Sequence, residues 1–227
     1  MRIFIIFLVV SWCFSSSSAQ TAKLESEFQS WNDIQLILPL VTSKDKKGGG
    51  FDRVTVTFTG TLRVGRKNLD FLDNRAGASV DFRISKYFSL TSAVLYRKDE
   101  LVKNIRRYET RLDAGAVFSK TWQNFSFRDR NMFERRFRNG RKDTNLYRSR
   151  IQINRPFKRR DTELFTPFIS EEGYYDLTAE KWSQNEFYAG ITRRINKRAA
   201  VDIAYVRVDA APVNVNGLNL SLKIKLR

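Results

Sequence analysis

Histidine is absent from the 227 residues, and the only cysteine is Cys13. Without an imidazole the chain cannot form a Ser-His or Cys-His nucleophile arrangement or a histidine metal site. A single cysteine also excludes zinc ribbons, redox pairs and disulfide scaffolds. We therefore predict a protein that is not an enzyme, with no catalytic residues, no metal site and no cofactor.

Long hydrophobic runs are also missing, except at the start of the chain. Arg2 is followed by an apolar stretch from Ile3 to Phe14 and then by a serine-rich segment that ends at Ala19. This order is typical of a secretory signal peptide, which we place at residues 1–19. After residue 20 no run approaches the roughly 20 apolar residues of a transmembrane helix, so a place in the membrane would require a β-barrel.

Alternation of apolar and polar side chains with a period of two dominates the rest of the chain. In the last strand Leu218, Leu220 and Leu222 alternate with polar neighbours such as Asn219 and Ser221. Such alternation indicates β-strands with one apolar and one polar face. We count about eleven strands of roughly ten residues, the length that a tilted strand needs to cross a bilayer. They lie at 31–41, 54–64, 76–84, 88–97, 107–118, 125–137, 147–154, 165–175, 183–195, 199–209 and 215–227.

An odd number of strands is unexpected, because bacterial single-chain barrels have an even number. A short first strand around residues 23–30 would give twelve strands, whereas a barrel without 31–41 would have ten. We predict an all-β, antiparallel up-and-down transmembrane β-barrel of twelve strands, with ten as the alternative. Residues 1–19 are then the signal peptide, 20–30 an N-terminal segment or short first strand, and 31–227 the barrel domain.

Alternation alone does not distinguish a membrane barrel from a soluble one, because either face of the sheet can point inward. Strand length favours the membrane, as do the tight connections near 85–87, 119–121 and 196–198, which alternate with mostly longer ones. Aromatic residues near strand ends would form a girdle at the lipid headgroups. They are Trp31, Tyr87, Phe88, Trp122, Phe157, Tyr174, Tyr175 and Trp182. We predict a porin-like protein in the bacterial outer membrane, and the alternative is a soluble exported β-barrel that binds a small ligand.

Five segments then suggest a family: NMFERRF, LYRSRIQINRPF, TPFISEEGYY, NEFYAGITRRI and AVDIAYVRV. In this order they resemble the bacterial outer-membrane family called domain of unknown function 2490, which implies a barrel of unknown activity. The family's recurring Glu and Arg positions fall on Arg130, Glu134, Arg136, Arg148, Arg150, Glu172 and Glu186. The chain departs from the family in ending Lys225-Leu226-Arg227 instead of in an aromatic residue, and in having Glu186 where arginine is more usual.

Charged side chains share the polar face of neighbouring predicted strands. Besides the family positions, Arg128 lies on this face, and Arg107, Glu109 and Arg111 lie one strand earlier. Guanidinium groups bind carboxylates bidentately, so these residues could form a structural lattice that fills a narrow lumen. Alternatively, they could line a path or pocket for anions, because unpaired arginines select negative charge.

The partners predicted from charge follow the same reasoning. Lys and Arg number 41 against 24 Asp and Glu, so some basic residues have no carboxylate partner. We expect outer-membrane lipid as the surroundings, a small anionic solute in the lumen, and lipopolysaccharide phosphates at surface lysines such as Lys98. Nucleic acid is not a predicted partner, because the basic residues are spread along strands of an exported chain.

Overall fold

The computed structural model describes residues 26–44, 50–65, 70–102, 105–122, 124–159, 162–210 and 214–226. The predicted signal peptide lies outside the described residues, as do residues 20–25 of the predicted N-terminal segment. Within the described ranges, no helix is long and apolar enough to cross a membrane.

All eleven predicted strands are present, most of them longer than predicted. The strands are β1 (Ser26–Lys44), β2 (Gly50–Gly65), β3 (Asp70–Arg83), β4 (Phe88–Val102), β5 (Ile105–Trp122), β6 (Phe125–Arg138), β7 (Thr144–Asn154), β8 (Phe157–Arg159), β9 (Thr162–Asp176), β10 (Lys181–Arg194), β11 (Ala199–Asp209) and β12 (Asn214–Lys225). The predicted tight turn at 119–121 is wrong, because β5 continues through it to Trp122.

One sheet contains all twelve strands, but only eleven of them form the closed wall. Each strand from β1 to β7 and from β9 to β12 pairs with two neighbours, whereas the three-residue β8 pairs only with β9. The predicted first strand at 23–30 is not separate, because Ser26 already belongs to β1. The closed barrel therefore has eleven strands and not the predicted twelve, and the twelfth strand of the sheet is β8.

The barrel closes between β1 and β12, and this pair is parallel. Its register runs from Ser26 opposite Asn214 to Ile37 opposite Lys225, while all other pairs are antiparallel. The parallel pair follows from the odd number of strands, because in an up-and-down order the first and last strands then run in the same direction. We call the end at which β1 and β12 begin rim A, and the opposite end rim B.

Tight turns at rim B connect β3 to β4 and β10 to β11. The Ser85 hydroxyl accepts the backbone N–H of Phe88 at 3.1 Å, and the Asn196 side chain accepts the N–H of Ala199 at 2.8 Å. Serine and asparagine stabilise turns in this way. These turns confirm the short connections predicted near 85–87 and 196–198.

The apolar face of the wall points outward. Phe133 is 49% exposed on the outer surface, whereas its neighbour Glu134 points into the lumen and is 0% exposed. A soluble barrel would have the opposite arrangement. The predicted fold class, an all-β transmembrane barrel, is therefore confirmed, and the arrangement of faces contradicts the soluble alternative.

The predicted aromatic girdle is correct only in part. Tyr87, Phe88, Trp122, Phe157 and Trp182 are exposed on the outside, and Tyr175 packs edge-on against Trp182. Two other members point into the lumen instead: Trp31, which is 3% exposed, and Tyr174. They have the same parity as the lumen residues of their strands, and in a strand parity decides the face.

Candidate functional site in the barrel lumen

Pairs of an acid and an arginine two residues apart recur along the strands. Side chains at i and i+2 lie on the same face of a strand, so each pair points into the lumen together. On β5 the Glu109 carboxylate accepts a hydrogen bond from Arg111 Nε at 2.5 Å, and on β6 the Glu134 carboxylate accepts one from Arg136 Nε. β5 and β6 thus each place an ion pair of their own in the lumen.

Glu134 joins three strands. Besides Arg136 on its own strand, it binds Arg148 of β7, with Nη1 at 2.5 Å from Oε2, and Arg111 Nη1 of β5 lies 3.9 Å from Oε1. The carboxylate is completely buried. A buried charge of this kind is tolerated only when it is fully paired, so the three arginines are what keep this acid ionised inside the wall.

Glu172 on β9 is the second centre, and it is 1% exposed. Its Oε1 lies 2.9 Å from Arg130 Nη2 and 2.9 Å from Arg148 Nη2, and Arg150 Nη1 is 3.8 Å from Oε2. Arg148 bridges the two glutamates and also lies 3.8 Å from Asp113. The resulting lattice consists of Glu109, Arg111, Arg130, Glu134, Arg136, Arg148, Arg150 and Glu172.

All eight lattice residues were predicted from the sequence, but three other predicted site residues lie outside the ion pairs. Arg107 is opposite Asp99 in the strand register near rim A and forms no ion pair with any described residue. Glu186 binds the hydroxyl of Tyr188 at 2.7 Å and the amide of Gln184 at 2.6 Å, not an arginine. Arg128 lies beside the lattice and faces open space, as described below.

A second group of ion pairs, on β3 and β4, was missed. Arg97 Nη2 lies 3.1 Å from Asp73 and 3.6 Å from Asp99, and Asp73 also binds Arg75 at 2.9 Å. Parity could have found these residues, because Asp73-x-Arg75 and Arg97-x-Asp99 repeat the i and i+2 spacing seen on β5 and β6. Both acids lie near rim A, where Arg141 of the loop after β6 also lies 3.4 Å from Asp99.

Four side chains form a bar through the lumen from β2 to β7. The guanidinium of Arg63 lies 3.3 Å above the ring of Trp31, Trp31 meets Tyr188 edge-on with centroids 6.2 Å apart, and Arg150 lies 4.7 Å from the Tyr188 centroid. We call Arg63, Trp31, Tyr188 and Arg150 the aromatic bar. Because the four side chains reach across the lumen, the bar obstructs it next to the lattice. Cation–π contacts of this kind are strong where water is excluded.

On the rim B side of the bar the lumen opens into a cavity of about 550 Å³, which we call the vestibule. Every strand of the closed wall contributes to its lining, and most of the lining is polar, for example Thr57, Ser79 and Gln152. Trp31, Tyr188 and Arg148 also line it. The lattice and the bar therefore form the floor of the vestibule, toward rim A.

Three arginines lie on one vestibule wall, and two of them share a single carboxylate. Arg130 and Arg150 are directly opposite each other on β6 and β7, and Arg128 follows toward rim B. Arg130 and Arg150 pair with Glu172, while Arg128 forms no hydrogen bond or ion pair with any described residue. The Nε of Arg130 is buried without a hydrogen-bond acceptor. This wall therefore has positive charge and N–H donors that the protein itself does not satisfy.

Among the described residues, no group of three or more acidic side chains is placed to hold a metal ion. The chemistry of the site is therefore that of arginine donors facing a water-accessible cavity.

Comparisons with known proteins found a family model and a solved structure that are similar to this chain. The family model described as protein of unknown function, DUF2490, matches residues 28–210. The chain belongs to this family. A search of curated proteins found no match. Among solved structures, the NanC porin in a rhombohedral crystal form is similar at 11% sequence identity, over 82% of this chain and 90% of that chain, with a TM-score of 0.47.

Proposed function

We propose that this chain is an outer-membrane β-barrel that binds small anions in its vestibule and passes them only slowly, because the lattice and the aromatic bar narrow the lumen. The outward apolar face supports the membrane location, since side chains such as Phe133 and Leu112 would otherwise meet water. Export by the signal peptide at residues 1–19 is part of the same proposal.

The arginine wall supports the preference for anions. Like charges directly opposite each other on neighbouring strands, as Arg130 and Arg150 are, repel each other unless a negative group lies between them. Glu172 provides one such group but cannot neutralise three guanidiniums. A small anion in the vestibule would supply the missing negative charge and accept hydrogen bonds from the free N–H groups of Arg128 and Arg130.

Conductance in planar bilayers tests this proposal. We expect small single-channel steps whose reversal potential in a salt gradient indicates anion preference. Arg128→Glu should weaken or reverse that preference, because Arg128 faces the vestibule without a described partner. Arg193→Glu makes the same charge change on the outer surface of β10 and should leave the preference unchanged.

Two results would contradict the proposal. If repeated trials give no conductance steps, the conduit is rejected and the lumen is a plug. If wild type and Arg128→Glu have the same reversal potential, the arginine wall does not determine ion selectivity.

The remaining partners follow from the same location. We propose outer-membrane lipid as the surroundings of the outward face, and contact of Lys98 with lipopolysaccharide stays a prediction. Neither catalysis nor nucleic-acid binding is part of the proposed function, since the lumen presents arginine and carboxylate pairs without an acid and base directed at a common point.

A further inference from the structure

Basic residues without acidic partners collect at rim B. Six of them form what we call the basic rim: Lys86, Lys120, Arg155, Arg193, Lys197 and Arg198. None forms an ion pair with any described residue. The nearby Asp52 binds Lys225 at 2.7 Å, so it does not neutralise the rim.

Rim A has basic residues of both kinds: some pair with acids, whereas Lys98, Arg107, Lys142 and Lys181 form no ion pair with any described residue. Arg135 lies 3.3 Å from Asp143, Arg207 lies 3.0 Å from Asp209, and Arg106 lies 3.5 Å from Glu100. None of the four residues without an ion pair lies over the aromatic ring of a described residue, whereas three members of the basic rim do. This contact distinguishes the unpaired cations of rim B.

Exposed aromatic rings place half of the basic rim at the edge of the apolar wall. Lys86 lies 5.5 Å from the ring of Tyr87, Lys120 lies 4.8 Å from Trp122, and Arg155 lies 5.1 Å from Phe125. These three rings are exposed on the outside of the barrel. Rings in this position mark the boundary between acyl chains and headgroups, so the three cations lie at headgroup depth.

We propose that the basic rim is a docking surface for the phosphate-bearing headgroups of the lipid leaflet at rim B. Charge complementarity supports this partner: the cations lack carboxylates, and headgroup phosphates occupy the depth at which the neighbouring rings place them. The surface is distinct from the arginine wall, which faces the lumen. The proposal rests on the proposed membrane location but not on anion binding in the vestibule.

Lipid selectivity in reconstituted membranes tests this proposal. The full chain is inserted into phosphatidylcholine vesicles, and electron paramagnetic resonance compares its association with spin-labelled phosphatidylglycerol and phosphatidylcholine. We expect an average preference above about twofold for phosphatidylglycerol, which falls as salt is raised. The triple variant Lys86→Gln, Lys120→Gln and Arg155→Gln should lose most of this preference.

A matched control changes the same charge at rim A through Arg107→Gln, Lys142→Gln and Lys181→Gln, and it should keep the preference. Equal losses in both triple variants would overturn the proposal, because net charge alone would then explain the binding. Absence of a preference in inserted wild type would also overturn it. If wild type does not insert into either membrane, the membrane location itself fails, which is a separate result.

Inorganic phosphate distinguishes lipid headgroups from free phosphate. At matched ionic strength, phosphate and chloride should weaken the preference equally, because the rings restrict the surface to headgroups. A much stronger effect of phosphate would assign the rim to the free ion and overturn the lipid proposal. If the triple variant does not fold, Lys120→Gln alone takes its place, and we expect it to lose a smaller part of the preference for phosphatidylglycerol.

Discussion

Two adjacent glutamates show how far the face of the strand decides the role of a residue. Glu172 points into the lumen, where it binds Arg130 and Arg148 at 2.9 Å. Glu171 points outward and accepts the amide of Asn185 at 2.9 Å. Because successive side chains in a strand alternate between faces, the same carboxylate is a lattice centre at one position and a lipid-facing charge at the next.

Removing the inward carboxylate should destabilise the barrel. Glu172→Gln keeps the shape of the side chain but leaves Arg130 and Arg150 without a negative partner, while Arg148 keeps Glu134. Breaking a buried pair from one side costs about 3–5 kcal/mol, so we expect the free energy of unfolding in vesicles to fall by about that amount. Tryptophan fluorescence during urea titration measures it. An unchanged midpoint would mean that the lattice contributes no stability.

Removing the outward carboxylate should have the opposite effect. Glu171→Leu replaces a charge on the apolar outer wall with a side chain that suits lipid, and only the contact with Asn185 is lost. We expect a gain of about 1 kcal/mol, since acidic residues on the lipid face of a barrel are unfavourable near the midplane. The same urea titration checks this, and a loss of stability would show that Glu171 is covered by something other than lipid.

At the scale of the element, the β1–β12 seam is the least expected feature of the fold. Parallel pairing places Ser30 beside Leu218 and Ile34 beside Leu222, so the register advances in the same direction on both strands. Parallel pairs are slightly less stable per residue than antiparallel ones. The closure of the barrel is therefore best tested at the β1–β12 pair.

Cysteine pairs can establish the direction of the seam. In a chain with Cys13→Ser, the double variants Ser30→Cys with Leu218→Cys and Ile34→Cys with Leu222→Cys should each form a disulfide under mild oxidation. Directly opposite residues on neighbouring strands lie within disulfide range. Ser30→Cys with Leu222→Cys is the matched control and should remain reduced. Cross-linking of the control in place of the other two pairs would show an antiparallel closure.

Sequence alternation predicted the strands well because the two-residue period is a local property. Leu218 and Asn219 reveal which face is which without any knowledge of neighbours. The pairing of Ser26 with Asn214 joins residues at opposite ends of the chain, so no local pattern indicates its direction. The prediction that Trp31 belongs to the girdle is wrong because this residue, although near a predicted strand end, has the parity of the lumen residues of its strand.

The site was predictable to the same degree. Parity predicts the lumen position of seven of the eight lattice residues, because each lies on the polar face of its strand, and the eighth, Glu172, is indicated by the family resemblance. Which of them touch depends on the stagger between strands, and this is why Arg148 reaches both Glu134 and Glu172 while Arg107 reaches no described acid. The aromatic bar could not be predicted, since Trp31 and Tyr188 meet only when the sheet is closed.

At the scale of the whole molecule, the barrel has an apolar exterior and a charged interior. The lattice lies among buried guanidiniums and carboxylates, while side chains such as Phe58 and Phe133 cover the outside. Inside a closed wall the ion pairs are shielded from water, which strengthens them, and outside the wall lipid replaces water around the apolar side chains. The apolar exterior and the charged interior depend on each other, because opening the wall would expose both of them.

Resistance to detergent follows from this closed wall. Each strand from β1 to β7 and from β9 to β12 has a neighbouring strand on both sides, so the closed wall offers dodecyl sulfate no free edge strand at which unfolding could start. We expect unheated protein to migrate faster in dodecyl sulfate gels than boiled protein, and membrane pellets to resist carbonate extraction. Glu172→Gln should lower the temperature at which the fast band disappears. Identical migration with and without boiling, together with release by carbonate, would mean that the barrel does not reside in a membrane.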